Sequence, residues 1–197
     1  MIKNYGFDAA KIITISNPLN SIIEENCLTA VNNEELRGNF ILCVGRLEKE
    51  KGFNYAIEAF AKVAPMFPGL RLKFIGTGSL ENHLDGIAEG LGVREKVDFE
   101  GFQENVVPYY RQASLTLLTS FYEGFPNVLI ESIALGTPVV AFDCSSGPSE
   151  IIIPEVNGIL VDYLNSEALV EALINALNKN WDREVVAETA RPYFSSR

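Results

Sequence analysis

The sequence predicts an α/β fold in which a single doubly wound, six-stranded parallel sheet carries helices on both faces. Short apolar runs rich in β-branched residues alternate with longer amphipathic segments along the 197-residue chain. Glycine or proline bounds most of these runs. The runs are apolar almost throughout rather than alternately polar, which is typical of strands buried on both sides.

The predicted strands are compact runs that end at a glycine or at a polar residue. In chain order they are Phe40–Gly45, Arg71–Gly76, Lys96–Glu100, Ser114–Thr119, Pro138–Phe142 and Gly158–Val161. The common order for six such strands, 3-2-1-4-5-6, brings the carboxyl ends of strands 1 and 4 together. A further apolar run, Ile12–Ile15, predicts a strand that has no obvious local partner.

The predicted helices carry apolar residues at spacings of three and four. They are Tyr55–Phe67, Ser79–Leu91, Val106–Gln112, Val128–Leu135 and Ser166–Asn178. Ser166 is expected to cap the last of them. Pro148-Ser149-Glu150, after strand 5, either begins a helix or places Ser149 and Glu150 beside a ligand.

Composition excludes several classes of protein. A net charge of -10 and a pI near 4.6 lack the basic footprint of a nucleic-acid binder. No run approaches the ~20 apolar residues of a membrane span, and no signal peptide is visible. Cys27, Cys43 and Cys144 lack Cys-x-x-Cys spacing, which argues against a disulfide scaffold or zinc site and favours a reducing, cytoplasmic setting.

Ligands of doubly wound sheets bind at the switch point, outside the carboxyl ends of strands 1 and 4. The segment Gly45–Gly52 follows strand 1 and contains Arg46 and Lys51. A guanidinium fork and an ammonium point charge together suit a diphosphate. The alternative is a solvated turn in which Glu48 and Glu50 neutralise the lysines.

Two carboxylates follow strand 4, with Glu123 in a loop and Glu131 about one turn into the next helix. We expect them on opposite sides of the helix N-terminus, where the amides of Gly124–Val128 and the helix dipole favour a phosphate. Carboxylates at this place can accept hydrogen bonds from sugar or ribose hydroxyls. Support of the helix dipole alone would explain Glu131, but not Glu123 in its Gly-Phe-Pro context.

Other motifs point away from alternative chemistries. Gly76 and Gly78 form Gly-x-Gly after strand 2, whereas the glycines of a dinucleotide site follow strand 1, so we interpret them as a tight turn bordering the ligand. His83, the sole histidine, is expected on a solvated helix surface away from the crevice, which excludes a Ser/His/Asp triad. The C-terminal acidic residues lack metal-loop spacing.

Four motifs in order resemble the C-terminal half of GT-B glycosyltransferases, and most closely the large retaining family 4. The decisive one is the Glu-x7-Glu element from Glu123 to Glu131. The set comprises Val44-Gly45-Arg46-Leu47 with Lys51-Gly52, Phe74–Gly78, Val97–Phe102, and Glu123–Glu131 followed by Gly136–Val140.

This resemblance implies a Rossmann-like domain that binds a nucleotide-sugar donor, with a UDP-sugar favoured. Arg46 and Lys51 would neutralise the donor diphosphate and the charge that develops as the nucleotide leaves. Glu123 would hold donor-sugar hydroxyls, and Glu131 the ribose hydroxyls. Catalytic roles are thus expected for Arg46, Lys51 and Glu123.

The resemblance also implies the remaining donor contacts. The loop before the helix would line the phosphate and sugar through Gly124, Phe125, Pro126 and Asn127. Gly76 and Gly78, with the loop after Gly101, would flank the base. Enzymes of this type need neither a metal nor another cofactor, consistent with the lack of an Asp-x-Asp element in the crevice loops.

The expected organisation follows from the same resemblance. Residues 1–17 would be a linker and remnant of an N-terminal acceptor domain, 18–180 the donor domain, and 181–197 a truncated C-terminal helix. The chain alone is expected to bind donor weakly and transfer nothing. The complete enzyme would transfer sugar, with retention, to a bacterial surface glycan or lipid-linked acceptor, and any peripheral contact with the inner membrane face would come through the missing domain.

The sequence leaves other functions open. The protein could instead be another GT-B-like enzyme, such as a nucleotide-sugar epimerase or a phosphorylase. An epimerase would need acid and base side chains in the crevice. A non-catalytic nucleotide-binding or regulatory domain would keep the same phosphate site. An NAD-dependent enzyme is disfavoured because no Gly-x-Gly-x-x-Gly follows strand 1.

Overall fold

The computed structural model describes Leu19, Ser21–Cys27 and residues 38–145 and 147–194. Within these residues a six-stranded sheet has the order β3-β2-β1-β4-β5-β6, and every neighbouring pair is parallel. The doubly wound order predicted from the sequence is confirmed. The predicted strand Ile12–Ile15 lies outside the described residues.

Each predicted strand of the sheet is present and is at most two residues shorter than expected. Their bounds are β1 Phe40–Val44, β2 Arg71–Ile75, β3 Val97–Phe99, β4 Leu115–Leu118, β5 Val139–Phe142 and β6 Gly158–Val161. Strands β4 and β5 are buried at every position. This burial explains their unbroken apolar sequences, since helices cover both faces of the sheet.

The helices divide between the two faces. Their bounds are α1 Ser21–Cys27, α2 Phe53–Val63, α3 Glu81–Gly90, α4 Val107–Gln112, α5 Asn127–Ala134, α6 Pro148–Ile151, α7 Ser166–Asn178 and α8 Arg183–Glu188. Helix α2 packs against α3 and α7 on one face, and α5 packs against α1, α4, α6 and α8 on the other. Short 3₁₀ turns lie at Lys49–Lys51, Arg94–Lys96 and Arg191–Tyr193.

One predicted helix end and one predicted helix cap are wrong for local reasons. Helix α2 ends at Val63 rather than Phe67 because Pro65 has no N–H to continue the hydrogen-bond ladder. Helix α7 does begin at Ser166, but its cap is Asn165, whose side-chain oxygen accepts the Ala168 N–H at 3.0 Å. The capping residue precedes the first helical residue, and Asn is among the preferred types there.

The C-terminal segment packs on the domain as two short helical pieces. Asp182 caps α8 by accepting the N–H groups of Glu184 and Val185, each at 3.1 Å. The Arg183 guanidinium donates to the carbonyls of Arg111 and Ala113 at 2.7 and 2.6 Å. The described part of the predicted C-terminal helix is therefore fastened to the end of α4.

The loops after β1 and β4 are joined by their backbones. The Thr119 hydroxyl donates to the Lys51 carbonyl at 3.0 Å, and the Phe121 N–H donates to the Glu50 carbonyl at 2.8 Å. Gly52 lies between them at φ 58°, and a Cβ there would come within 2.3 Å of the Thr119 carbonyl oxygen. Glycine at this position thus permits the closest approach of the two loops.

Replacing Gly52 with alanine should destabilise the domain by about 3 kcal/mol, the upper range for a strained backbone position. Gly86→Ala is the matched control, because a Cβ at Gly86, within α3, meets nothing within 4 Å. That change should stabilise by about 0.5–1 kcal/mol, as alanine does in a helix. Urea unfolding of both variants measures the difference, and a Gly52→Ala protein as stable as its parent would disprove the close approach.

Candidate functional site

The side chains predicted for the switch point include one charge pair that the fold brings together. Lys51 Nζ donates to Glu123 Oε1 at 2.8 Å, and the Ser120 hydroxyl donates to the same oxygen at 2.6 Å. The Lys51 and Glu123 side chains are 15% and 13% exposed. A cation and a carboxylate expected to contact different parts of one ligand are therefore in contact with each other, at the junction of β1 and β4.

Arg46 lies on the surface beside this pair. Its side chain is 74% exposed, and Nη2 forms an ion pair with Glu50 Oε1 at 2.6 Å. Glu48, by contrast, accepts the N–H and hydroxyl of Ser79, each at 2.8 Å. The alternative in which Glu48 and Glu50 neutralise the lysines is therefore wrong, because Glu50 pairs with Arg46, and Lys51 pairs with Glu123.

Gly76 and Gly78 pack the turn after β2 against the loop after β1. A Cβ at Gly76 would lie 2.0 Å from the Gly45 carbonyl oxygen, and one at Gly78 would lie 2.4 Å from that of Leu47. Hydrogen bonds of 2.9 Å join Leu47 N–H to the Thr77 carbonyl and Leu80 N–H to the Leu47 carbonyl. These close approaches account for both glycines, and their contact with a ligand stays a prediction.

The loop before α5 exposes some of its predicted contacts and buries others. Gly124 and Asn127 are exposed, Pro126 is buried, and the Phe125 ring packs 6.0 Å from the ring of Tyr193. The Asn127 N–H donates to the Phe125 carbonyl at 2.9 Å. The expectation that all amides from Gly124 onward face a ligand is therefore wrong at Asn127, because the turn uses that amide, and at Pro126, which has none.

Glu131 lies in the second turn of α5, turned towards α4. Its Oε2 accepts the hydroxyl of the fully buried Tyr110 at 2.9 Å. Burial raises the pKa of Glu131, while the hydrogen bond from Tyr110 acts in the opposite direction. Glu123 bonds to the β1 loop and Glu131 to α4, so the two carboxylates lie on different sides of the start of α5.

Three residues of this region escaped the sequence prediction. Ser120 is the second residue after β4, and a hydroxyl close to a strand end was the available signal. Tyr110 lies within the predicted helix Val106–Gln112, where nothing in the sequence marks its hydroxyl as a site contact. His83 is exposed as expected but lines a pocket of about 330 Å³ beside the loop after β1, so its predicted distance from this edge is wrong. The pocket residues are Glu48, Lys49, Phe53, Asn54, Leu80, His83, Leu84 and Phe121.

The described residues offer neither a cluster of metal ligands nor a membrane-spanning helix. They contain no group of three or more His, Cys, Asp or Glu side chains placed to hold a metal ion. No helix among them combines the length and apolarity needed to cross a bilayer.

The parallel sheet and the residues at its switch point define a Rossmann-like domain of the GT-B glycosyltransferase class. The sequence profile described as "Glycosyl transferases group 1" matches residues 28–192. The chain therefore belongs to the glycosyl transferases group 1 family.

Two similar proteins support this membership. An uncharacterized glycosyltransferase of Haemophilus influenzae is 35% identical over 172 residues, which is 87% of this chain and 47% of the relative. A Campylobacter jejuni enzyme is 30% identical over 191 residues, 97% of this chain and 51% of the relative. That enzyme is named N-acetylgalactosamine-N,N'-diacetylbacillosaminyl-diphospho-undecaprenol 4-alpha-N-acetylgalactosaminyltransferase.

A solved structure gives the same result for the fold. The lipopolysaccharide outer core galactosyltransferase WaaB, in its apo form, superposes with a TM-score of 0.83 at 26% identity. The match covers 98% of this chain and 54% of that protein. The chain thus spans about half the length of the relatives it matches.

Glu131→Gln should stabilise the domain at neutral pH. The pKa of Glu131 is raised by burial above its ordinary value of 4.5, so the folded state holds this proton more tightly than the unfolded state does. The resulting stability is fully present below pH 4.5 and is lost as the pH rises through the folded-state pKa. Glutamine keeps an acceptor for Tyr110 without the cost of a half-buried charge.

Melting temperatures measured from pH 4 to pH 8 check this sign. The Glu131→Gln variant should melt above the parent at pH 8, and the two should converge towards pH 4. Glu89→Gln, on the exposed surface of α3, makes the same change in net charge and serves as the control. A Glu131→Gln variant that melts below the parent at pH 8 would contradict the assignment.

Proposed function

We propose that this domain binds a nucleotide-diphosphate sugar, with a UDP-sugar favoured, and that the complete enzyme transfers the sugar with retention to a glycan or lipid-linked acceptor. The observation that carries the proposal is the Lys51–Glu123 pair at the switch point, beside the half-buried Glu131. Its supports are family membership and the chemistry of these three groups. The proposed setting is the cytoplasm.

Lys51 suits the role of the cation that receives the leaving diphosphate. Its backbone carbonyl is bonded to Thr119, so the base of the side chain is fixed independently of its charged end. A phosphate can then replace Glu123 as the partner of Nζ without moving the loop. A cation already in place where negative charge develops lowers the barrier more than one that must be recruited.

Arg46 would add the second cation without a metal. Its present partner is Glu50 at i,i+4, and an exposed pair of this kind is worth only about 0.3–0.5 kcal/mol. A phosphate that offers two oxygens to the guanidinium forms a stronger, bidentate contact. We therefore propose that Arg46 exchanges Glu50 for the diphosphate when a donor binds.

The carboxylates would divide the donor between them. Glu123, in the loop, would accept sugar hydroxyls, and Glu131, in the helix, the ribose hydroxyls. The exposed Gly124 and the N-terminus of α5 would face the phosphates. The turn containing Gly76 and Gly78 and the loop after Gly101 would flank the base.

The acceptor belongs to the proposal for the whole protein. The Campylobacter jejuni relative is named for a diphospho-undecaprenol acceptor, and the structural relative for the outer core of lipopolysaccharide. A glycan or lipid-linked saccharide is the class these names share. We propose that an N-terminal domain of the complete enzyme holds this acceptor, makes any membrane contact, and is required for transfer.

A thermal-shift screen against UDP, GDP, ADP and their sugars tests the donor class. A bound ligand raises the melting temperature with its saturation, so UDP and a UDP-sugar should give the largest shifts. Uridine, which lacks the diphosphate, is the control and should give almost none. Shifts with none of these nucleotides would overturn the donor proposal, and a selective shift with GDP or ADP would overturn the preference for uracil.

Alanine substitutions test the diphosphate contacts. Lys51→Ala should weaken UDP binding at least tenfold, since a hydrogen bond to a charged group contributes about 1.5–3 kcal/mol. Arg46→Ala should weaken it less, because that side chain must first leave Glu50. Lys49→Ala removes an exposed lysine from the same turn and should change affinity less than twofold. Calorimetric titration measures all three, and unchanged affinity in both the Lys51 and Arg46 variants would refute the assignment.

A further inference from the structure

Tyr110 combines a core position with a hydrogen bond to a site residue. The side chain is fully buried in the domain core, where phenylalanine would fill nearly the same space. Its hydroxyl donates to Glu131 Oε2 at 2.9 Å. Glu131 itself is half-buried, and its other oxygen, Oε1, has no hydrogen-bond partner within the described part of the chain. The buried phenol therefore holds one end of a carboxylate whose other end can receive a ligand.

The backbone of Tyr110 is fixed by a second polar contact. The Thr137 hydroxyl, in the turn after α5, donates to the Tyr110 carbonyl at 2.5 Å. Ser132 Oγ lies 3.0 Å from the Thr137 carbonyl and 2.7 Å from Thr116 Oγ1 of β4. Thr116, Ser132 and Thr137 are all fully buried. A continuous polar chain thus connects β4 to α5, and α5 to α4, inside an otherwise apolar core.

This series of buried hydrogen bonds fixes the relative position of two short helices. Helix α4 has six residues and α5 has eight, so each is too short to be held rigidly by its own hydrogen bonds. Buried polar groups cost stability unless they are paired, and once paired they restrict the core to one arrangement. Ser132 joins α5 to the sheet, and the adjacent Glu131 joins it to α4. The position of the Glu131 carboxylate is therefore set from both sides.

We propose that Tyr110 is a positioning residue that aims the Glu131 carboxylate at the ribose hydroxyls of the donor. The inference rests on the proposed function, in which Glu131 receives the ribose. Tyr110 touches no part of the donor and acts only through Glu131. Its hydrogen bond also favours the ionised carboxylate against burial, which preserves Glu131 as an acceptor.

Binding of UDP and 2′-deoxy-UDP tests this role, because the ratio of their affinities isolates the ribose contact. The GDP pair replaces them if the nucleotide screen selects guanine. The parent chain should prefer UDP by about tenfold, as expected for loss of one hydrogen bond to a carboxylate. Tyr110→Phe should reduce the ratio to about threefold or less while leaving the affinity for inorganic pyrophosphate unchanged. Tyr109→Phe removes the neighbouring phenol hydroxyl of α4 and should keep the parental ratio.

A double-variant comparison separates positioning from general loosening of the fold. Glu131→Gln should reduce the same ratio, and adding Tyr110→Phe should reduce it no further, because both changes act on one contact. A Tyr110→Phe protein that keeps the parental ratio, while Glu131→Gln loses it, would overturn the positioning role. If Tyr110→Phe does not fold, Thr137→Val tests the same chain of contacts by the same ratio and with the same criterion.

Failure of the proposed function gives a different result. A parent chain that binds UDP and 2′-deoxy-UDP equally, or a Glu131→Gln variant that keeps the preference, removes Glu131 from the ribose site. The positioning role of Tyr110 is then overturned as well, because it acts only through Glu131. Loss of pyrophosphate binding in Tyr110→Phe would show that the change disturbs the whole site, which also overturns a role limited to Glu131.

Discussion

The candidate site depends on the backbone junction between the loops after β1 and β4. Gly52 allows the Thr119 carbonyl to lie against it, and the Thr119 hydroxyl and Phe121 amide bond to the carbonyls of Lys51 and Glu50. None of these contacts uses a charged side-chain end. The charged groups can therefore change partners while the loops that carry them stay in place, which is the physical meaning of a preorganised electrostatic site.

Helix α5 meets a conflicting demand at Glu131. A carboxylate in the second turn of a helix that packs on the sheet loses part of its hydration, and burial raises its pKa. The same loss of hydration makes it a stronger acceptor for a hydroxyl that displaces the remaining water. In the proposed function, stability and recognition therefore oppose each other at this residue, as they commonly do in functional sites. The Tyr110 phenol moderates the conflict, because burial raises its pKa and keeps it protonated as a donor to Glu131.

The sequence was sufficient for the fold because buried strands and amphipathic helices have periodic signals. The strand order that it predicts places β1 beside β4, and this brings Lys51 and Glu123 together at one edge of the sheet. The pairings within the site were less predictable. Arg46 and Glu50 are four residues apart, a spacing at which side chains meet within one helical turn, whereas Lys51 and Glu123 are separated by 72 positions. Such a contact depends on how two loops cross, which composition and spacing do not encode.

The net charge of -10 is compatible with an anionic ligand, because salt screens the charges that lie far from the site. At physiological salt the Debye length is about 8 Å, so acidic residues elsewhere on the surface act only weakly on the site. Near the site, Glu50 is paired with Arg46 and Glu48 is bonded to Ser79. A bound diphosphate would therefore compete mainly with Glu123 for the Lys51 ammonium. A diphosphate carries more negative charge than a carboxylate, and if it takes Lys51 it leaves Glu123 with Ser120 and with any sugar hydroxyl brought by the same donor. Diphosphate and sugar would then reinforce each other, because the first occupies the cation and the second satisfies the carboxylate that the cation has left.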